Sequence, residues 1–252
     1  MKNKLILITL LSILIALGSI FLPSENYTLF VFAYLTVIAV YLLIKNRSFI
    51  SREMGLQGLI LAVLASTGEL FKHNWGFAIL IIVQVFLAYI AAMASFRANG
   101  HDYPFMRHNF LKSIGIILVV GIVLGGINTI PNLLNGTKMT PGQPFEAVLF
   151  AIRPGIWEEV FMRFLLFGLH VHLLGRLPES KTEHLITNIH MIVPHVLIHF
   201  AGASIGQAII PIVFLCLFFG LPLTLLQKRV DLFTAIGSHF LVDWVRYFLF
   251  QI

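Results

Sequence analysis

The sequence is short of charge. Only 11% of its 252 residues are Asp, Glu, Lys or Arg, and 58% are hydrophobic, whereas a soluble domain carries about 25% charged residues. Water could not solvate the surface of such a chain, but lipid could. Cysteine is nearly absent. Cys216 is the one thiol, which excludes an intrachain disulfide and any metal site built on thiols. Acids are few, 11 against 17 Lys and Arg, leaving a net charge of +6. That balance alone would suit a nucleic-acid binder, but its distribution along the chain does not. Internal repeats, low-complexity tracts and a soluble domain are also missing. The longest polar connections, near Arg97–Lys112, Pro131–Phe145 and Gly175–His184, are loop-sized. Asn135-Gly136-Thr137 matches a glycosylation acceptor, a pattern too common by chance to carry weight.

Long apolar runs are plentiful. Nine stretches approach the roughly 20 residues that cross a bilayer: Leu5–Phe21, Tyr27–Ile44, Leu56–Phe71, Trp75–Phe96, Ser113–Ile130, Pro154–Leu174, Ile186–Ala201, Gln207–Leu226 and Leu232–Phe250. The third and seventh are the shortest. The pattern predicts an all-α fold, a polytopic transmembrane bundle of eight to nine spans, with residues 1–252 forming one integral membrane domain. The basic start and first apolar run also suit a signal peptide. No small-x-small cleavage site precedes Pro23, so a retained anchor is expected. With Lys2 and Lys4 inside, alternating spans put Lys45, Arg47, Arg52, Arg97, Arg107, Lys112, Arg176, Lys181, Lys228 and Arg229 inside too. Lys72, Lys138 and Arg153 fall outside. This positive-inside asymmetry accounts for the net charge without a nucleic-acid partner.

Ionisable residues are sparse in the first five stretches. The last four carry Glu158, Glu159, Arg163, His195, His199, His239 and Asp243. A central charge costs roughly 2.5–3.5 kcal/mol on insertion scales, so intramembrane ionisable groups point to function. Pro154 suits a first helical turn and predicts a helix starting there. Glu158 and Glu159 then lie at a helix N-terminus, favoured by the macrodipole. Glu159 and Arg163 share a face and can pair. Glu158, turned about 100° away, is left to point into a cavity. The plainer reading of these three residues is a neutralised polar clamp between helices.

His195 and His199 are also four apart. Either a histidine serves as an interhelical hydrogen-bonding group, or the pair has zinc-ligand spacing without the glutamate that follows the first histidine in metalloproteases. His239 and Asp243 share a face too. The carboxylate can fix the imidazole tautomer, or the two can simply satisfy each other. Together the three groups supply acids, imidazoles and a guanidinium, a set able to activate water and stabilise an oxyanion.

Glu158-Glu159-x-x-x-Arg163 resembles the EExxxR motif of the CPBP family, the CAAX-protease and bacteriocin-processing (Abi) proteins. His199 matches the histidine closing its FxxxH motif. His239-x-x-x-Asp243 matches its HxxxN/D motif. The resemblance covers roughly Pro154 to Asp243, with residues 1–145 as accessory spans and 146–252 as catalytic helices. Three positions depart: His195 replaces the motif phenylalanine, Met162 the aromatic before the arginine, and Phe164 the glycine after it.

The resemblance implies an intramembrane endopeptidase acting on a membrane-embedded peptide or protein. Glu158 and His199 would activate water, His239 and Asp243 would sit where the oxyanion forms, and Glu159 and Arg163 would position the site. It implies no cofactor, with a zinc form held by Glu158, His199 and His239 as the alternative. A different class of function, a non-enzymatic immunity factor or small-solute carrier, would use the same polar cavity. Counting roughly 1.5 Å per residue puts these groups about 10–24 Å from the cytoplasmic ends of their spans. The expected pocket is therefore at or outward of the midplane, a depth that disfavours prenyl-protein substrates.

Overall fold

The structure, a computed structural model, describes residues 2–250; the side chains of Lys2, Asn3, Ile205 and Gln207 lie outside the described residues, as do Met1, Gln251 and Ile252. The first anchoring charge, Lys2, is thus among those not described. Helix makes up 83% of the chain, and no strand occurs among the described residues. Six helices are long and apolar enough to cross a membrane: Lys4–Phe21, Ser24–Lys45, Arg52–Phe71, Trp75–Ala98, Phe110–Leu134 and Ala208–Arg229. The chain is accordingly a multi-pass, all-helical membrane protein. The apolar runs predict eight to nine spans from nine candidate stretches. The three not among the six are the sixth, seventh and ninth stretches, which carry the polar motifs. Their shortness or their acids, arginines and histidines lower their apolar character.

The chain forms two compact units. The first comprises Met1–Leu56, Leu87–Tyr103 and Val160–Thr224, and the second Gln57–Phe86, Pro104–Glu159 and Leu225–Ile252. In the first unit, α1 (Lys2–Phe21) packs on α8 (Lys181–Ile198), and α2 (Ser24–Lys45) on α7 (Leu165–Leu174). Its core includes an aromatic cluster. Phe96 stacks on Phe164 at 5.6 Å between centroids, and Tyr103 lies 4.8 Å from Phe96. A full capping box opens α8: Ser180 Oγ accepts from Glu183 N–H and Glu183 accepts from Ser180 N–H, satisfying two orphan donors. The helix therefore starts at Lys181, ahead of the expected Ile186, and ends at Ile198 with His199 as its cap.

In the second unit, α11 (Leu232–Phe250) packs on both α5 (Phe110–Leu134) and α6 (Pro144–Trp157). Asp231 caps α11: its Oδ1 accepts from Thr234 N–H at 2.7 Å, while Oδ2 accepts from Arg107 N–H at 2.8 Å. The far end is also closed. Thr140 and Gly142 donate their N–H groups to the carbonyls of Leu249 and Phe248, which a helix terminus otherwise leaves unsatisfied. Glycines set the close approach. A Cβ on Gly121 would lie 2.7 Å from Leu241 Cβ, one on Gly125 3.1 Å from Val245, and one on Gly155 3.0 Å from the Phe240 backbone. Gly121-x-x-x-Gly125 is the small-xxx-small pattern that lets membrane helices meet closely.

Candidate active site

The Glu158–Glu159 segment does not open a helix. Helix α6 begins at Pro144, with that proline in its first turn, and Pro154 lies inside it. The amphipathic segment before Pro154 is held by Arg153, which pairs with Glu69 of α3 (Arg52–Phe71). Proline removes one backbone bond, and from Glu158 to Phe164 the chain is π-helical. That irregularity breaks the 3.6-residue spacing from which the side-chain faces were inferred; π-turns frequently occur at functional sites. The macrodipole therefore does not stabilise the two acids. A neighbouring imidazole does.

In the second unit, His239 of α11 lies among three carboxylates. Its Nδ1 is 2.7 Å from Glu159 Oε1. A carboxylate only accepts, so Nδ1–H is the donor and the tautomer is set. The other nitrogen, Nε2, is 3.5 Å from Glu158 Oε2 and 3.5 Å from Asp243 Oδ2. Both separations exceed an optimal N–H···O bond of about 2.7–3.2 Å. Asp243 Oδ1 in turn lies 3.4 Å from Arg246 Nη2. The expected His239–Asp243 alignment is thus present, and Glu158, far from pointing away alone, faces the same ring. Arg246 is an addition that i,i+3 spacing from Asp243 could have revealed.

Burial singles out Glu158. Every residue from Pro154 to Val171 is buried except Glu158, whose side chain is 12% exposed while that of Glu159 is fully covered. The cluster thus has one carboxylate locked on the imidazole and another with access. Glu158 and His239 present donor atoms 3.5 Å apart, close to the spacing of two ligands on a tetrahedral zinc with bonds of about 2.0–2.2 Å. The third ligand expected of a zinc form, His199, belongs to the first unit.

The remaining predicted residues also lie in the first unit. Arg163 is fully buried, and its Nη2 donates to His195 Nδ1 at 2.8 Å. His195, which replaces the motif phenylalanine, therefore serves the hydrogen-bonding role anticipated for it. His199 stands at the exposed cap of α8, with its ring edge-on to His195 at 5.3 Å between centroids. Sequence reasoning passed over a second histidine group here, His170 and His190, each fully buried. Their spacing along the chain matches no motif. Comparison with family models, curated proteins and solved structures gives no match for this chain.

Proposed function

We propose that this protein is an intramembrane endopeptidase that hydrolyses a peptide bond with water activated by Glu158. The observation supporting this is the placement of one accessible glutamate beside an imidazole whose tautomer is held by a second, buried glutamate. Glu158 would take the proton from water, within bridging reach of His239 Nε2. His239, donating from Nε2 when protonated, would stabilise the developing oxyanion, with Asp243 and Arg246 holding the ring side. Such donors act most strongly where water is excluded. The resemblance to the CPBP family adds His199 as a partner in water activation and Arg163 as a positioning residue.

The reading is metal-free, so purified active protein should contain no stoichiometric zinc and should keep its activity in chelator. One zinc per chain, with activity restored on adding it back, would make Glu158 and His239 ligands instead. The finer topology belongs to the same proposal: nine crossings of the cell membrane, with the 175–184 loop cytoplasmic. A Leu177→Cys label in a Cys216→Ala background should be reached only after the membrane is permeabilised. Labelling of intact cells from outside would invert that topology.

The main test compares membrane peptides in cells carrying the wild type or Glu158→Gln, which keeps shape but cannot act as a base. Peptides that accumulate only with Glu158→Gln identify substrates. Identical peptide profiles, with the cellular phenotype retained, favour the alternative of a non-enzymatic immunity factor or solute carrier. Three carboxylates around one imidazole would equally hold a proton in a carrier.

A further inference from the structure

Within the first unit, four side chains from three helices form a continuous hydrogen-bonded chain. Thr187 Oγ1 of α8 lies 3.0 Å from His170 Nδ1 of α7. His170 Nε2 lies 2.9 Å from His190 Nδ1 of α8. His190 Nε2 lies 2.7 Å from the hydroxyl of Tyr34 on α2. Thr187, His170 and His190 are fully buried, whereas Tyr34 is half-buried. No carboxylate or cation makes any of these three contacts.

A neutral imidazole has one N–H and one bare nitrogen. That limits the chain to two arrangements. In the first, Tyr34 donates to His190 Nε2, His190 Nδ1–H donates to His170 Nε2, and His170 Nδ1–H donates to Thr187. In the second, every bond reverses: Thr187 donates to His170 Nδ1, His170 Nε2–H donates to His190 Nδ1, and His190 Nε2–H donates to Tyr34. Any mixed arrangement sets two N–H groups, or two lone pairs, against each other in a buried site. That wastes a hydrogen bond at a cost of about 1–3 kcal/mol.

We propose that Thr187, His170, His190 and Tyr34 act as one hydrogen-bond switch, in which both imidazoles always carry the same tautomer and the ends of the chain select it. The two arrangements differ at the ends. In the first, Tyr34 offers only lone pairs to a group meeting its exposed edge, and the Thr187 hydroxyl accepts from His170. In the second, Tyr34 offers its O–H outward and Thr187 donates its hydroxyl proton to His170. A hydrogen-bonding group arriving at α2 is thereby registered on α8, without any net charge in the membrane.

The test is ring-nitrogen NMR on the full chain in nanodiscs, with 15N-histidine and assignment by single His→Gln variants. Wild-type His170 and His190 should show equal proportions of the two tautomers. Tyr34→Phe strands a bare nitrogen in the first arrangement but an N–H in the second. Orphaned buried N–H groups are the rarer, so both rings should move to the Nδ1–H form, by about tenfold in population. Thr187→Val should move both rings the other way. The decisive signal is His170 responding to Tyr34→Phe through His190, the next ring along the chain. Unequal tautomers in the wild type, a doubly protonated ring, or a response confined to His190 would overturn the switch. If Thr187→Val does not fold, the wild type and Tyr34→Phe alone still separate these outcomes.

Discussion

The two units place histidine in opposite surroundings. In the second, one imidazole faces three carboxylates and, through Asp243, an arginine. In the first, two imidazoles face each other, a threonine and a tyrosine. The former environment suits a ring that gains and gives up charge. The latter suits rings that exchange only the direction of their hydrogen bonds, because an unpaired buried charge costs far more than a paired neutral group. The same side chain thus meets acids in one unit and neutral hydrogen-bonding groups in the other.

This contrast can be broken in several ways. The largest effect should come from Glu158→Gln, which removes the base: turnover should fall by about 10²–10⁴-fold, with the His170 and His190 ring signals unmoved. A shift in those signals would show that the groups are not independent. Arg163→Ala should follow, since it strips a fully buried guanidinium and its hydrogen bond from His195; a loss of about 1–3 kcal/mol is expected. It should appear as little folded protein in membranes, with Arg163→Lys intermediate because one ammonium cannot reproduce the guanidinium fork. Normal abundance of Arg163→Ala would refute this structural role. His170→Phe leaves Thr187 and His190 without that partner and should cost about 1–3 kcal/mol in thermal unfolding, while the turnover of the remaining folded protein stays at the wild-type level.

The smallest effect lies outside the spans. Hydrogen bonding from Arg176, then from the Glu179 and Ser180 N–H groups, holds the Glu183 carboxyl at about 2, below its usual 4.5. A depressed carboxylate stabilises the fold fully above its unfolded value, and that contribution drains away as pH falls from 4.5 toward 2. Glu183→Gln should flatten unfolding against pH across that window alone. An unchanged slope would mean that Glu183 is not held this way.

Much of the site could be read from the chain because membrane polarity is scarce and therefore conspicuous. Glu158, Glu159, His239 and Asp243 stood out for their cost, and they share one environment. Less legible was the path of the backbone between them. Pro154 reads as a helix start, but the segment from Pro144 is already helical and is anchored by Arg153 on Glu69. A π-turn leaves no mark in a pattern judged at 3.6 residues per turn. His199, placed with Glu158 by resemblance, stands at the exposed cap of α8. The His170–His190 contact joins two helices, so no spacing within either reveals it. Gly121-x-x-x-Gly125 was passed over in the sequence, and the fold shows that its partner is α11.

The glycine seam around α11 also determines which genetic lesions can be reversed. A methyl at Gly121 meets the side chain of Leu241 first, with Cβ, Cγ and Cδ2 all within 2.9 Å. The nearest of these, Cβ at 2.7 Å, is lost only when codon 241 becomes glycine, so a Gly121→Ala allele should have Leu241→Gly as its intragenic suppressor there. A methyl at Gly155 instead meets the N and Cα of Phe240, both at 3.0 Å. Every residue has these atoms, and no replacement at codon 240 removes them. In a reversion screen, Gly155→Ala should return mainly true revertants, because the obstruction is the main chain that carries the neighbouring His239.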